Sequence, residues 1–224
     1  MSSSDHNLMR WFRGASGSQT KPVEKSRATP RPRRHCIGLG EFMRSLRDAG
    51  EEKRCVLDLG PTSSANIAFI TDLGMRVYNE DLLRASQDRG YIVKQEDSSL
   101  QLDPSKFFAE NLDYPAHHFD AILCWDVADY LPESLVKPLV ERLQTVLKPK
   151  GNLLAFFHSK DAGPDSPHCR YHIVQNDTLE FEPGPVFRLQ RVFNNRHIEN
   201  LFKDFASRKF FLGRDNIREV LMVR

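Results

Sequence analysis

The sequence predicts an α/β protein whose mostly parallel sheet is flanked by helices and finished by a C-terminal antiparallel hairpin. Three observations point there. CVLDLG is short and apolar, closes on Asp58 and Gly60, and is followed by a helical stripe and a second strand, MRVYNED. FDAILCW and NLLAFFHS are unbroken apolar runs with a helical segment between them, the mark of strands covered on both faces of a parallel sheet. RKFFLGRDNIREVLMVR holds two strands joined by a turn too short for a crossover helix, so that pair is antiparallel.

The remaining elements follow in chain order. Leu39, Phe42, Met43 and Leu46 form an amphipathic stripe ahead of the first core strand, with Gly50 placed to end that helix. Ile67, Ile70 and Leu73 mark the helix after CVLDLG; Asn66 or a nearby serine caps it and Gly74 closes it. The polar connection from Ser86 to Ser105 holds an extra helix or a loop, and KFFAENLDYP reads as a further strand and turn. Pro132 opens a helix striped by Leu139, Val140, Leu143, Val146 and Leu147, which Pro138 kinks or restarts. LKPKG then turns the chain into NLLAFFHS. Residues 160–185, with the strand-like stretches CRYHIV and TLEFEP, read as an insertion, either a cap over a pocket or a small surface hairpin. Ile198, Leu201, Phe202 and Phe205 stripe the last helix.

Composition bounds the function. The chain has 224 residues, 40% of them hydrophobic, enough for one substantial core. No apolar run reaches the roughly 20 residues that cross a bilayer, and MSSSDHNLMRWFRG lacks the apolar stretch of a secretory signal, so a soluble, cytoplasmic protein is expected. Cys36, Cys55, Cys124 and Cys169 lie far apart with no C-x-x-C pair, which fits reduced core thiols. No metal site is expected: His168, Cys169 and His172 lie on an extended segment, where residues four apart do not chelate together, and His117–His118 is a bare pair. The overall charge of +2 conceals an asymmetry, +6 through Gly38 and −4 beyond it. Residues 1–36, rich in Ser, Pro, Gly and Arg, read as a disordered basic arm that either solubilises the chain or touches nucleic acid or anionic lipid. Leu8, Met9, Trp11 and Phe12 form a short sticky patch within it.

The strand, turn, helix, strand unit from Cys55 to Asp81 carries the functional signal. Backbone N–H groups at such a turn face a ligand beyond the carboxyl ends of the strands. An acid closing the second strand accepts both hydroxyls of a ribose. Asp81 stands 23 positions after Asp58, near the spacing of about 20 used for ribose recognition. The unit therefore points to a cofactor containing adenosine.

From Ile37 to Arg224 the order of elements and the local sequences VLDLG, RVYNED, FDAILCWDVADYLP and LKPKG resemble the class I S-adenosylmethionine-dependent methyltransferases, as does the terminal hairpin. The resemblance implies a Rossmann-like, mostly parallel seven-stranded sheet and S-adenosylmethionine as cofactor. It implies that Asp58 orients the methionine end, that Gly60 allows close approach, and that Asp81, or else Glu80, binds the ribose. Asn111 and Leu112, after the third strand, would lie by the adenine, and Trp125 and Asp126, after the fourth, would border the methyl-transfer side.

The departure lies in the loop. Laid over the family's D-x-G-x-G-x-G, Thr62 and Ser64 replace two glycines. Thr62, Ser63 and Ser64 offer hydroxyls to the methionine carboxylate, and Pro61 stiffens the turn. Catalytic residues are not legible, since transfer from a sulfonium needs little beyond positioning. His158, Asp126 and Tyr130 stand nearest the expected pocket, with His158 the candidate base. CWDVADY lacks the prolines of the N-P-P-Y motif found in amino-methylating members. Methyl transfer to a small molecule is the leading expectation. A non-catalytic binding module and an RNA methyltransferase anchored by the arm are the alternatives; the oligomeric state is open.

Overall fold

The computed structural model describes residues 30–48, 54–94, 98, 100–160, 167–213 and 216–224. The chain divides into Met1–Pro30 and Arg31–Arg224. All but Pro30 of the first unit lies outside the described residues, and with it most of the expected arm; Gly50 and the turn residues Arg214 and Asp215 also fall outside.

In the second unit, β1 (Arg33–His35) and α1 (Ile37–Asp48) precede the core strand β2 (Cys55–Asp58). Helix α2 (Ser64–Asp72), β3 (Arg76–Asn79) and a short α3 (Leu82–Ala85) follow. A two-stranded ribbon, β4 (Ile92–Lys94) with β5 (Leu100–Leu102), leads to α4 (Pro104–Asn111). Then come β6 (Phe119–Trp125), α5 (Val127–Tyr130), α6 (Glu133–Val146) and β7 (Leu147–His158). The hairpin β8 (Pro167–Gln175) and β9 (Thr178–Val186), helix α7 (Asn195–Leu201), and strands β10 (Ser207–Leu212) and β11 (Ile217–Val223) complete the unit.

The main sheet has six strands in the order β10-β11-β7-β6-β2-β3. Its β3, β2, β6 and β7 are parallel, while β11 runs antiparallel to β7 and to β10. The α/β sheet and its terminal hairpin thus stand as expected. Among the described residues the expected seventh strand is not part of this sheet: the KFFAEN of KFFAENLDYP lies in α4. Its start is set by Asp103, whose carboxylate accepts from the backbone N–H of Ser105 and Lys106, and by Pro104 in the first turn. Phe107 and Phe108, adjacent in sequence, are both buried on this helix and meet edge-on, and Phe107 meets Tyr91 in the same way. Helix α6 runs unbroken through Pro138 from Glu133 to Val146, so neither a restart nor a second helix is present.

Side-chain alternation divides the core. Leu57, Ile122, Cys124, Leu153, Ala155 and Phe157 face α4, α6 and α7, where Phe107, Leu139, Leu143 and Phe202, the residue that caps α7, are fully buried. Val56, Ala121, Leu123, Leu154 and Phe156 face the other way, toward Leu39, Phe42, Met43 and Leu46 of α1 and Ile70 of α2. One residue of slip in any central strand would exchange these two sets, so the register is fixed from both sides. No helix among the described residues is long and apolar enough to cross a membrane.

A second sheet lies outside the main one, in the order β1-β9-β8. The insertion therefore forms a hairpin completed by a strand from the N-terminal side. Residues 31–36, expected as part of the arm, belong to the folded unit: Arg33 to His35 pair with Glu180 to Thr178. Arg31 meets Glu182, Arg33 meets Glu180, and Arg34 meets Glu219. In the last pair Glu219 is buried and Arg34 half-buried, with the Arg34 guanidinium 4.6 Å over the Phe156 ring. Glu219 also accepts the backbone N–H of Gly38 at 2.7 Å. A Cβ at Gly38 would sit 2.8 Å from that carboxylate, so the close approach needs glycine.

Burial decides what these pairs contribute. Replacing Glu219 by Ala removes a buried carboxylate that serves both the half-buried Arg34 guanidinium and the Gly38 N–H, and should cost about 3 kcal/mol. Glu180→Ala removes only the partner of an exposed arginine and should cost under about 1 kcal/mol. Urea unfolding of the two variants checks the contrast; equal losses would contradict it.

Candidate functional site

In an open α/β sheet, ligands sit beyond the carboxyl ends of the strands, where strand order reverses. Here the chain passes from β2 outward to β3, then returns across β2 to β6. The crevice at that reversal has Asp58 to Gly60 on one wall and Trp125 with Asp126 on the other, and α2 begins at its rim.

Asp58 is 2% exposed and both its carboxylate oxygens are taken. The indole Nε1 of Trp125 donates to Oδ1 at 2.6 Å, and Nδ2 of Asn66 donates to Oδ2 at 2.9 Å. Burial pushes the Asp58 carboxyl up to about 6, against the opposing pull of these two hydrogen bonds. Gly60 lies against the same indole: a Cβ there would fall 2.9 Å from Trp125 Cδ1. The space beside the glycine that a cofactor would approach is filled by tryptophan.

The loop is held just as closely. Ser63 caps α2, accepting from the Asn66 N–H, and its hydroxyl lies 2.8 Å from His172 Nδ1. Thr62 is exposed and donates to the Asn79 carboxamide, whose Nδ2 donates to the carbonyls of Asp58 and Gly60. Ser64, also exposed, opens the helix. Of the three loop hydroxyls, only that of Ser63 faces the buried interior, and there it serves the cap and the hairpin.

The β8–β9 hairpin covers this crevice, which favours the cap over the free surface hairpin. Tyr171 stacks on Trp125, with ring centroids 5.0 Å apart and planes 17° from parallel, and its hydroxyl donates to Asp126 at 3.0 Å. Asn66 fastens the edge of β8: its Nδ2 donates to the Tyr171 carbonyl and its Oδ1 accepts the Ile173 N–H. His168 Nε2 lies 3.2 Å from Asp126 Oδ1, within ion-pair range but off the line of a hydrogen bond. Burial works to raise the Asp126 carboxyl, but His168 beside it, helped by His158 and the Tyr171 hydroxyl, outweighs burial and holds it below its usual range.

The flanking acids differ. Asp129 is fully buried and accepts from His158 twice, from its backbone N–H at 2.6 Å and from Nδ1 at 2.8 Å. Burial nevertheless pushes Asp129 up to about 6, with His158 opposing. Tyr130 meets the rings of His158 and His168 edge-on. At the end of β3, Glu80 and Asp81 are half-buried; the Tyr114 hydroxyl donates to Glu80, and Asp81 caps α3 by accepting the Arg84 N–H.

Asp58, Gly60, Ser63, Trp125 and Asp126 therefore come together, with Glu80 and Asp81 closing the neighbouring strand. Asn111 ends the helix α4 and Leu112 caps it, where a strand was expected. The Asn111 amide donates to the Tyr91 hydroxyl and the Phe107 carbonyl, and the buried Leu112 gives its carbonyl to Arg142. Among the described residues no group of three or more His, Cys, Asp or Glu side chains is placed to hold a metal ion. His118 packs among Tyr78, Tyr114 and Phe119 instead. Sequence reasoning missed the hub role of Asn66 and the contact of Tyr171 with Trp125. The alternation of Cys169, Tyr171 and Ile173 in CRYHIV was the available signal, since it gives β8 one apolar face to bury.

A sheet of this order, with an acid and a glycine closing its inner strand and two acids closing its edge strand, defines a doubly wound α/β protein of the nucleotide-fold kind. The methyltransferase domain family matches residues 33–205, and the chain belongs to that family. Among solved structures it is similar to the PH0226 protein from Pyrococcus horikoshii OT3, at 18% identity over 82% of this chain and 88% of that one, with a TM-score of 0.47. The glycopeptide N-methyltransferase MtfA complexed with S-adenosyl-L-methionine is 17% identical over 90% of this chain and 99% of that one, with a TM-score of 0.44. The 1,6-didemethyltoxoflavin-N1-methyltransferase of Burkholderia thailandensis is 12% identical over 84% and 78%, also at 0.44. Likenesses at this level assign no ligand to this chain. No curated protein matches it in sequence.

Asp58 gives the site a pH signature. An acid whose folded pKa, about 6, stands above its ordinary 3.8 holds its proton more tightly in the folded state. Its contribution to stability is therefore full below about pH 4 and is lost as pH rises toward 6. Asp58→Asn removes that dependence, so the stability of the unaltered protein relative to the variant should grow as pH falls from 7 to 4. Urea unfolding at several pH values tests this; curves of identical pH slope would refute it.

Proposed function

We propose that the chain transfers a methyl group from S-adenosylmethionine to a small-molecule acceptor. The observation that carries this reading is the pairing of membership in the methyltransferase domain family with the β2–α2–β3 unit at the point of strand reversal. In it, Asp58 belongs to the methionine end of the cofactor, and Glu80 or Asp81 to the ribose hydroxyls. Bound S-adenosylmethionine would supply a methyl group already activated by the sulfonium.

The two ends of the site differ in fit. The half-buried carboxylates of Glu80 and Asp81, at the carboxyl end of β3, suit paired hydroxyls. At the other end the residues do not fit the group as folded, because Trp125 occupies the carboxylate of Asp58 and the face of Gly60. That filled seat is the observation behind a second reading, in which the chain is a non-catalytic member serving as a binding module. For RNA the support is weaker, since Arg31, Arg33 and Arg34 are committed to carboxylates of the protein itself.

Calorimetric titration with S-adenosylhomocysteine tests the proposal. Saturable binding is expected, and losing the ribose carboxylate through Asp81→Ala or Glu80→Gln should weaken it about tenfold or more, as for a charged hydrogen-bond acceptor. Absence of binding by the folded protein would favour the binding-module reading.

A further inference from the structure

Three features of Trp125 fit neither a passive core residue nor an open pocket. Its backbone stands at φ 46, a left-handed conformation that bulky side chains rarely adopt. It ends β6 at a register shift against β7, between Leu123 and Trp125, where the ladder is irregular. Its side chain is nonetheless 2% exposed, because indole, Asp58, Gly60, Tyr171 and Phe156 form one packed group. A strained backbone conformation persists only where its surroundings over-determine it, and such strain gathers at ligand clamps and switch regions.

The surroundings here come from the hairpin. Tyr171 covers the indole, Asn66 binds the edge of β8, His172 meets Ser63 at the start of α2, and Asp126 is reached by both Tyr171 and His168. Every one of these contacts joins the inserted β8–β9 segment to a residue in or beside the crevice. The indole N–H meanwhile gives Asp58 the donor that an ammonium group would otherwise give, and its ring lies on the glycine face.

We infer that Trp125, held down by the β8–β9 hairpin, is a built-in occupant of the cofactor seat, and that S-adenosylmethionine enters only when the indole leaves Asp58 and the hairpin lifts from α2. The inference rests on the methyl-transfer reading, and deepens it by making cofactor affinity depend on a conformational equilibrium within this chain. A ligand that binds only the open form has its apparent affinity reduced by the fraction of molecules that are open. Loosening the cover then tightens binding, the reverse of what loss of a cofactor contact does.

Trp11 and Trp125 are the chain's two tryptophans, so Trp11→Phe leaves Trp125 as the sole indole reporter. In that background, saturating S-adenosylhomocysteine should shift the emission to the red and raise acrylamide quenching severalfold. Tyr171→Ala, which removes the stack and the bond to Asp126, should tighten S-adenosylhomocysteine binding about tenfold. His172→Ala, a milder cut at the contact with Ser63, should act in the same direction and serves if Tyr171→Ala does not fold. Binding that leaves Trp125 equally shielded, with no gain from loosening the hairpin, would overturn the inference while the methyl-transfer reading stands. No binding by the parent, Tyr171→Ala or Trp125→Ala, each folded by circular dichroism, would overturn both.

Discussion

The buried carboxylate of Asp58 is the constraint on which the rest of the site depends. An ionised carboxyl at 2% exposure is costly unless its oxygens find donors, and two neighbouring elements supply them. Trp125 Nε1 reaches in from β6 and Asn66 Nδ2 from α2. Because Asn66 spends its other amide contacts on Tyr171 and Ile173, satisfying Asp58 also seats the hairpin. One acid thereby ties an inner strand, its neighbour, a helix and an insertion into a single arrangement. The same two bonds that hold the arrangement leave nothing polar over at Asp58.

Much of the fold is legible because its strands are buried on both faces. FDAILCW and NLLAFFHS need no partner to be recognised, and the glycine at φ 78 that ends α2 announces itself as Gly74. The failure at KFFAENLDYP is instructive. Two adjacent phenylalanines look like a strand core, and only the chemistry at Asp103 and Pro104, a cap followed by a first-turn proline, decides for a helix. The RPRRH run was misread for a related reason. Its composition is that of a solvated tail, but Glu180, Glu182 and Glu219, close to 150 or more residues away in sequence, are its partners, and no local pattern reports such a pairing.

The candidate site is legible in part. Asp58, Gly60, Ser63, Trp125 and Asp126 converge because strand ends in a parallel sheet converge, which spacing alone foretells. What the sequence leaves hidden is direction. Whether an indole at a strand end lines a cavity or fills it depends on one backbone angle at Trp125 and on a tyrosine 46 residues further along. The replaced glycines looked like the damaged part of the loop. In the structure Thr62 and Ser64 lie at the surface, and the retained Gly60 is the position that is blocked.

The outer sheet is assembled from two pieces of sequence that meet only in space: β1, just before the first helix, and the β8–β9 insertion more than a hundred residues later. Neither piece is self-sufficient, since a lone hairpin is marginal in water and β1 alone has nothing to pair with. A lineage that lost the insertion would leave Arg31 and Arg33 without their acidic partners, and one that lost the N-terminal strand would bare the edge of β9. The two segments are therefore expected to be gained and discarded together. For the same reason, grafting the insertion onto another protein of this fold calls for transplanting the segment around Arg33 along with it.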